Sequence, residues 1–167
     1  LDENGAYHFI KKDGLKEVTG NILDNSYLLL AFLKGYETLD QKEYLEIAQK
    51  IANYSLENLY DWSEGGFFER NSLATNLYAP GENIDLSKPK EENSIMAYAL
   101  LKLYQKTNNI QYLNAGLKTL GNSLLKAGGL DRDYYIIKAA QLTLDNNLRE
   151  EYNSQLKEIK KLEEKKI

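Results

Sequence analysis

Asp24-Asn25-Ser26-Tyr27-Leu28-Leu29-Leu30-Ala31-Phe32-Leu33-Lys34-Gly35-Tyr36 returns further along the chain as Glu92-Asn93-Ser94-Ile95-Met96-Ala97-Tyr98-Ala99-Leu100-Leu101-Lys102-Leu103-Tyr104. The register holds without a gap from Asp24 to Leu56 on one side and Glu92 to Leu124 on the other. Tyr44 falls on Tyr112, Leu45 on Leu113, Lys50 on Lys118, Ser55 on Ser123 and Leu56 on Leu124. Each copy reads as two helices. A helical hairpin cannot bury its apolar faces alone, so a repeated one implies stacked copies in a curved array or a closed ring.

Within each copy the two helices differ in pattern. From Asp24 to Thr38 the apolar residues run nearly all round, which predicts an inner helix covered on every side. From Lys42 to Leu59, Tyr44, Leu45, Ala48, Ile51, Ala52, Leu56 and Leu59 recur at three-and-four spacing among polar residues, the pattern of an outer helix wet on one face. The second copy repeats the contrast, with Ile95 to Tyr104 apolar all round and Tyr112, Leu113, Gly116, Leu117, Leu120 and Leu124 in a stripe. After Gly128-Gly129 a third pair follows without clear identity to the others. It runs Tyr134 to Leu144, then Leu148, Tyr152, Leu156, Ile159 and Leu162 on one face of a charged helix. The expected fold class from this pattern is all-α, stacked antiparallel helical hairpins, with short β-hairpins in loops.

We read residues 1–167 as a single helical-hairpin domain, with an extended or hairpin lead-in over 1–23 and an elaborated loop over 61–91. In the lead-in, Ala6 to Ile10 and Leu15 to Thr19 are strand-like around the turn Lys11-Lys12-Asp13-Gly14. In the loop, Gly65-Gly66-Phe67-Phe68-Glu69 can start a short strand, Leu77-Tyr78-Ala79 can return, and Pro80-Gly81-Glu82-Asn83 is a turn. So long a connection in a helical domain is often functional. The chain opens at Leu1 within a polar run, and we expect a C-terminal piece of a longer protein.

Composition narrows the function classes. A chain of 167 residues with 43% hydrophobic and 28% charged residues is globular and long enough for one core. A net charge of -4 offers no basic surface for a phosphate backbone, so nucleic acid is not an expected partner. The chain has no cysteine, which removes disulfides and thiolate metal sites. No apolar run is long enough to span a membrane, and we expect no membrane partner and a soluble, cytoplasmic protein. No cofactor is implied, and nothing resembles a phosphate loop or nucleophile elbow.

Asp24-Asn25-Ser26-Tyr27 opening an inner helix that ends Lys34-Gly35-Tyr36-Glu37, then Tyr60-Asp61-Trp62 leading into Glu64-Gly65-Gly66-Phe67-Phe68, then Glu92-Asn93-Ser94-Ile95-Met96-Ala97, together resemble the C-terminal region of a thioredoxin-domain-containing family of the spermatogenesis-associated type. Its members join a thioredoxin-like domain to an (α/α)6 toroid similar to those of N-acylglucosamine 2-epimerases and six-hairpin glycosidases. The resemblance covers Tyr7 to about Leu125. It implies the latter half-ring of such a toroid, related to sugar chemistry and not catalytic by itself. Where the family carries Pro-Ser-Gly before the Asn-Ser, this chain has Lys90-Glu91-Glu92. On this reading the partners are a carbohydrate ligand and either a second copy of the chain or the missing N-terminal half-toroid and thioredoxin-like domain. Loss of half a ring is expected to expose apolar surface around Leu29, Phe32 and Leu100. An alternative class is a helical-repeat scaffold that binds a partner chain on its concave side.

Candidate chemistry lies at the helix starts and in the loop. Asp24 and Glu92 are repeat-equivalent acids; two carboxylates beside one cavity are the raw material of glycoside hydrolysis, whereas at helix N-termini they also serve simply as caps. Glu64 and Glu69 are further catalytic candidates. Trp62, Phe67, Phe68 and Tyr78 offer flat faces for stacking on a sugar, and Gly65 and Gly66 let backbone approach a ligand. The other reading makes those glycines a turn with positive φ and the two phenylalanines a plug on the core. Asn93 completes the ligand-binding set. His8 is the only histidine, so a histidine pair for acid–base catalysis is impossible within this chain. Asp131 and Asp133 have calcium-like spacing without the surrounding loop motif, and no metal site is expected. The 13 tyrosines read as packing residues whose hydroxyls reach polar partners.

Overall fold

The computed structural model describes residues 6–14, 16–69, 87–125 and 133–164. Two strands, β1 (Tyr7–Ile10) and β2 (Lys16–Thr19), pair antiparallel with Tyr7 opposite Thr19 and Ile10 opposite Lys16. The turn is closed by the Gly14 N–H donating to the Lys11 carbonyl at 2.9 Å, as the turn signal predicts. Three helix pairs follow: α1 (Ile22–Leu39) with α2 (Lys42–Asn58), α3 (Lys90–Thr107) with α4 (Ile110–Leu125), and α5 (Tyr134–Asp145) with α6 (Leu148–Glu164).

The same joint folds each pair back on itself. Asp40 and Asn108, which are repeat-equivalent, adopt the left-handed conformation at φ 52° and 54° and donate their N–H groups to the carbonyls of Tyr36 and Tyr104. Asn and Asp tolerate that conformation, which ends the helix and leaves two residues to turn the chain. The third pair has no such sequence identity, yet Asn147 takes φ 50° between α5 and α6. The αα-hairpin is therefore repeated three times in structure although only two copies show it in sequence.

Helices α1, α3 and α5 lie side by side as an inner layer, with α2, α4 and α6 outside. The outer helices bury the predicted stripes, Ala48, Ile51, Ala52 and Leu56 on α2 and Tyr112, Leu113, Gly116 and Leu120 on α4. Tyrosine hydroxyls stitch these helices together: Tyr112 donates to Asn53 at 2.8 Å, Tyr152 to Asn114 at 2.9 Å, and Tyr104 to Glu151. Helix α3 is the keystone. Every residue from Asn93 to Tyr104 except Tyr98 and Lys102 is buried, because α1, α5 and α4 cover it on three sides.

Two expectations need correction. Helix α1 is not covered all round: Tyr27 is 46% exposed, Ala31 is exposed, and Leu28, Leu30 and Phe32 are half-buried. It has an inner neighbour, α3, on one flank, and among the described residues none on the other. Leu29 and Leu100, expected to be laid bare in a half-ring, are fully buried, since both sit on the sides of their helices that face the rest of the bundle.

Gly116 sets the closest approach in this packing. A Cβ placed there would stand 3.0 Å from two atoms of the Leu101 side chain, which is itself fully buried. At Gly121, on the same helix, a Cβ would meet nothing within 4 Å. Gly116→Ala is expected to destabilise the chain by about 1–2 kcal/mol, overpacking outweighing the gain in helix propensity. Gly121→Ala is expected to stabilise it by about 0.5–1 kcal/mol. Urea unfolding of the two variants beside the parent checks both signs.

Candidate functional site

The inner helices begin at one end of the layer, and there the repeated Asn-Ser pair has a visible task. The Asn93 side chain is buried and makes three bonds: its Oδ1 accepts from the Phe67 N–H at 2.6 Å, and its Nδ2 donates to the carbonyls of Phe67 at 2.9 Å and Pro89 at 2.7 Å. Asn25 does the same for the other copy, accepting from the Ala6 N–H at 3.2 Å and donating to the Asn21 carbonyl at 2.7 Å. Ser26 and Ser94 turn their hydroxyls back onto the carbonyls of Leu23 and Lys90. Helices α1 and α3 thus each carry an amide that clamps an extended segment across the helix start. Asn93, a ligand-binding candidate by sequence, is engaged with the loop backbone.

The loop held by Asn93 spans both layers. Asp61 Oδ1 accepts from the N–H groups of Ser63 and Glu64 and from the Ser63 hydroxyl, a tight turn closed by one carboxylate oxygen. Its Oδ2 takes the Lys88 ammonium at 2.6 Å, and Lys88 also reaches Glu64 at 3.3 Å and the Gly65 carbonyl at 3.0 Å. Lys88, then the Ser63 hydroxyl and the Glu64 N–H, hold the Asp61 carboxyl well below the usual carboxylate range. Gly65 and Gly66 have φ of 82° and 83°, the positive-φ turn that glycine alone adopts without strain. Asn122 of outer helix α4 donates to the carbonyls of Glu64 and Gly65, seating this part of the loop over the outer layer.

The aromatic candidates separate. Trp62 is 56% exposed and stands edge-on to Tyr60 at 4.9 Å. Phe67 is fully buried against Tyr60 and closes the core. Phe68 is half-buried with the Lys88 ammonium 5.1 Å from its ring centre. Tyr78 lies outside the described residues, as does Asp131. Tyr60 itself is buried, its hydroxyl has no partner among the described residues, and burial together with Asp61 and Tyr152 pushes its phenol up to about 12.

The carboxylate candidates do not gather at one point. Glu64 is exposed beside Lys88 on the outer side of the loop. Glu69 sits in the seam between copies, its carbonyl accepting from the Ile22 N–H and its N–H donating to the Ser87 carbonyl. Asp24 and Glu92 occupy the first turns of α1 and α3 and are half-buried. Lys102 on α3 pairs with Glu37 on α1, marking the facing flanks of those helices. Helical phase turns Glu92 toward that flank of α3 and Asp24 to the opposite flank of α1, so the two acids point the same way along the layer. Asp133, at the start of α5, is buried and bound by Lys90 at 2.5 Å. The hollow lined by Gly66, Lys88, Lys90, Asn93, Asn122 and Ser123 measures about 10 Å³, room for about one water and no sugar ring.

The Asp61–Lys88 pair escaped the sequence reading because its members lie far apart in the chain within a segment without periodicity. Helical spacing suggests packing for the tyrosines of the inner layer, yet Tyr27 and Tyr134 are 46% and 58% exposed.

Two measurements test this construction. Asn93→Ala strands the buried N–H and carbonyl of Phe67 and is expected to cost about 2–4 kcal/mol, more than Asn25→Ala, by chemical denaturation. Asp61 has a folded pKa depressed below its ordinary value of 3.8, so its contribution is present above about pH 4 and is lost as pH falls through the folded value. A stability profile from about pH 5 to pH 2 should fall more steeply in the parent than in Asp61→Asn, which lacks that titration.

No family model matches the chain, and no curated protein matches it in sequence. Solved structures do match in fold. The GH76 alpha-mannanase of Bacteroides thetaiotaomicron superposes with TM-score 0.65 at 22% identity over 85% of this chain and 40% of its own. A sugar epimerase from a ruminal bacterium gives TM-score 0.58 at 22% identity over 73% and 31%. A protein of Listeria innocua gives 0.59 at 20% over 78% and 41%. The chain therefore spans well under half the length of each of these structures, and at this identity the likeness establishes the fold, that of the α/α toroids, here represented by three hairpins.

Proposed function

We propose that this chain is a sugar-related (α/α)-toroid domain that binds carbohydrate and does not catalyse as an isolated unit. The observation that carries the reading is the fold shared with an alpha-mannanase and a sugar epimerase, which makes a saccharide the ligand class to test first. The placement of the acids supports a binding role. A pair of carboxylates that cleaves a glycosidic bond must flank it, and Asp24, Glu92, Glu64 and Glu69 are spread over two layers and a seam. Of the loop candidates, Trp62 and Phe68 remain for ligand contact, with Phe67 in the core, Gly65 and Gly66 buried with their carbonyls engaged, and Asn93 holding the loop. The Asp24 to Tyr27, Tyr60 to Phe68 and Glu92 to Ala97 motifs further support a parent protein that pairs the toroid with a thioredoxin-like domain.

A second reading, a scaffold that docks a partner chain, is favoured by Ile137 and Leu144 on α5, which are 44% and 77% exposed. Among the described residues no helix is long and apolar enough to cross a membrane, so that surface is not part of a helical membrane span.

Saturation-transfer NMR against mannose, α-mannotriose, N-acetylglucosamine and chitotriose, with the single Trp62 indole N–H followed in parallel, tests the proposal. Transfer to one sugar class that saturates with concentration is the expected result. Absence of transfer to every member of the panel would transfer support to the scaffold.

A further inference from the structure

Helix α3 leaves one narrow stripe uncovered. Counting along the helix, Glu91, Tyr98, Lys102 and Gln105 fall on one line, and all four are exposed or half-buried, while between Asn93 and Tyr104 every other residue is sealed between α1, α4 and α5. The stripe faces away from the outer layer. The repeat-equivalent line on α1 holds Leu23, Leu30, Lys34 and Glu37, with Tyr27 beside it, and that on α5 begins at Tyr134.

Three tyrosines of α3 and α5 meet over this face, and a fourth, Tyr27, stands on α1. The rings of Tyr98 and Tyr135 lie 5.9 Å apart at 47°, and those of Tyr135 and Tyr134 lie 5.0 Å apart at 83°. Tyr27 lies exposed on α1, on the other side of α3 from the α5 pair. Burial raises the Tyr135 phenol, and the hydroxyls of Tyr27, Tyr134 and Tyr98 raise it further. The inner layer of a curved stack of hairpins lines its concave side, so the group occupies a concave face. The Lys102 ammonium stands 5.7 Å from the Tyr98 ring centre, and Lys138 stands 5.7 Å from that of Tyr134.

These tyrosines differ from the stitching ones. Tyr104 and Tyr112 are 2% and 1% exposed with their hydroxyls bonded inside the bundle, whereas Tyr27 and Tyr134 are 46% and 58% exposed. Large aromatic area left in water on a curved face contributes little to folding and marks a recognition surface. The chemistry around it selects the ligand. Tilted rings offer apolar faces to the C–H side of a pyranose, and phenol hydroxyls, Lys102, Glu37 and Lys138 offer hydrogen bonds of both senses. Cations and anions are mixed, which suits a neutral polyhydroxylated chain better than a nucleotide or an anionic lipid.

We propose that Tyr27, Tyr98, Tyr134 and Tyr135 form a carbohydrate-stacking platform on the concave inner face, separate from the loop that carries Trp62. The platform rests on the carbohydrate reading and gives it a place. Glu91, two turns before Tyr98 on the same stripe, stands at the rim end to receive sugar hydroxyls.

The test is a titration of the whole chain, with 13C-labelled tyrosine rings assigned by single Tyr→Phe changes, against the same four sugars. The platform predicts saturable shifts at the four rings, an apparent Kd weakened about fivefold in Tyr134→Ala, and a value within about twofold of the parent in Tyr134→Phe, which keeps the ring. Tyr134 is largely exposed, so its substitution leaves the core intact; Tyr98→Ala is a second reading of the same face. Shifts confined to the Trp62 indole, with affinity unchanged in Tyr134→Ala, would overturn the platform and leave carbohydrate binding in place at the loop. Silence at both the tyrosines and Trp62 would overturn the carbohydrate reading and the platform with it.

Discussion

A buried side-chain amide at the start of α1 and another at the start of α3 form the interaction on which the rest of this structure depends. The first turn of a helix presents N–H groups without helical partners, and a segment crossing that end brings further polar backbone out of water. Asn93 meets part of this demand by bonding both the N–H and the carbonyl of Phe67, which lets an extended strand of loop lie against a helix where no sheet is available. Asn25 accepts from the Ala6 N–H in the same way. Once Phe67 is fixed, its ring closes the core, Gly65 and Gly66 must turn with positive φ, and Glu69 is delivered to the start of α1, where its carbonyl accepts from Ile22. The clamp in one copy thereby joins that copy to the other.

The same clamp separates structural from recognition roles at the rim. Groups nearest the helix starts are already engaged: Asn25, Asn93, Ser26 and Ser94 with backbone, and Asp133 with the Lys90 ammonium. Lys88 is held among Asp61, Glu64 and the Gly65 carbonyl. Such a network has little spare hydrogen-bonding capacity, and the hollow it encloses is too small for a sugar. The carbohydrate contact proposed above therefore falls on surfaces beside the network, on Trp62 of the loop and on the concave side of the inner layer.

Much of the fold was legible because the repeat is carried by residues with local tasks. Tyr36 and Tyr104 precede equivalent helix ends, the three-and-four stripes of α2 and α4 dictate which faces they bury, and Gly14 sits where the strand turn needs positive φ. What could not be read was long-range. Asn25 and Asn93 are identical in sequence, but their partners lie 19 and 26 residues upstream, so no spacing rule connects them. Tyr27 and Tyr112 look alike on a helical wheel; one is exposed and the other buried, because coverage depends on how many neighbours a helix has in the layer. A pattern that is apolar all round describes α3, in the middle of the row, and overstates α1 at its edge.

Repeat symmetry also limits what the acids can do. Asp24 and Glu92 are related by the step that carries one hairpin onto the next, and that step preserves direction around the arc. Two residues so related, on neighbouring hairpins, present their carboxylates to successive helices and not to each other. They can oppose one another across a ring only when several steps have turned the direction through half a circle, which three hairpins of a six-hairpin ring do not complete. A glycosidic bond lying on this concave face would therefore meet one acid of such a pair and the tyrosine wall. On the proposed carbohydrate reading that combination would hold a sugar, whereas cleavage requires a second carboxylate.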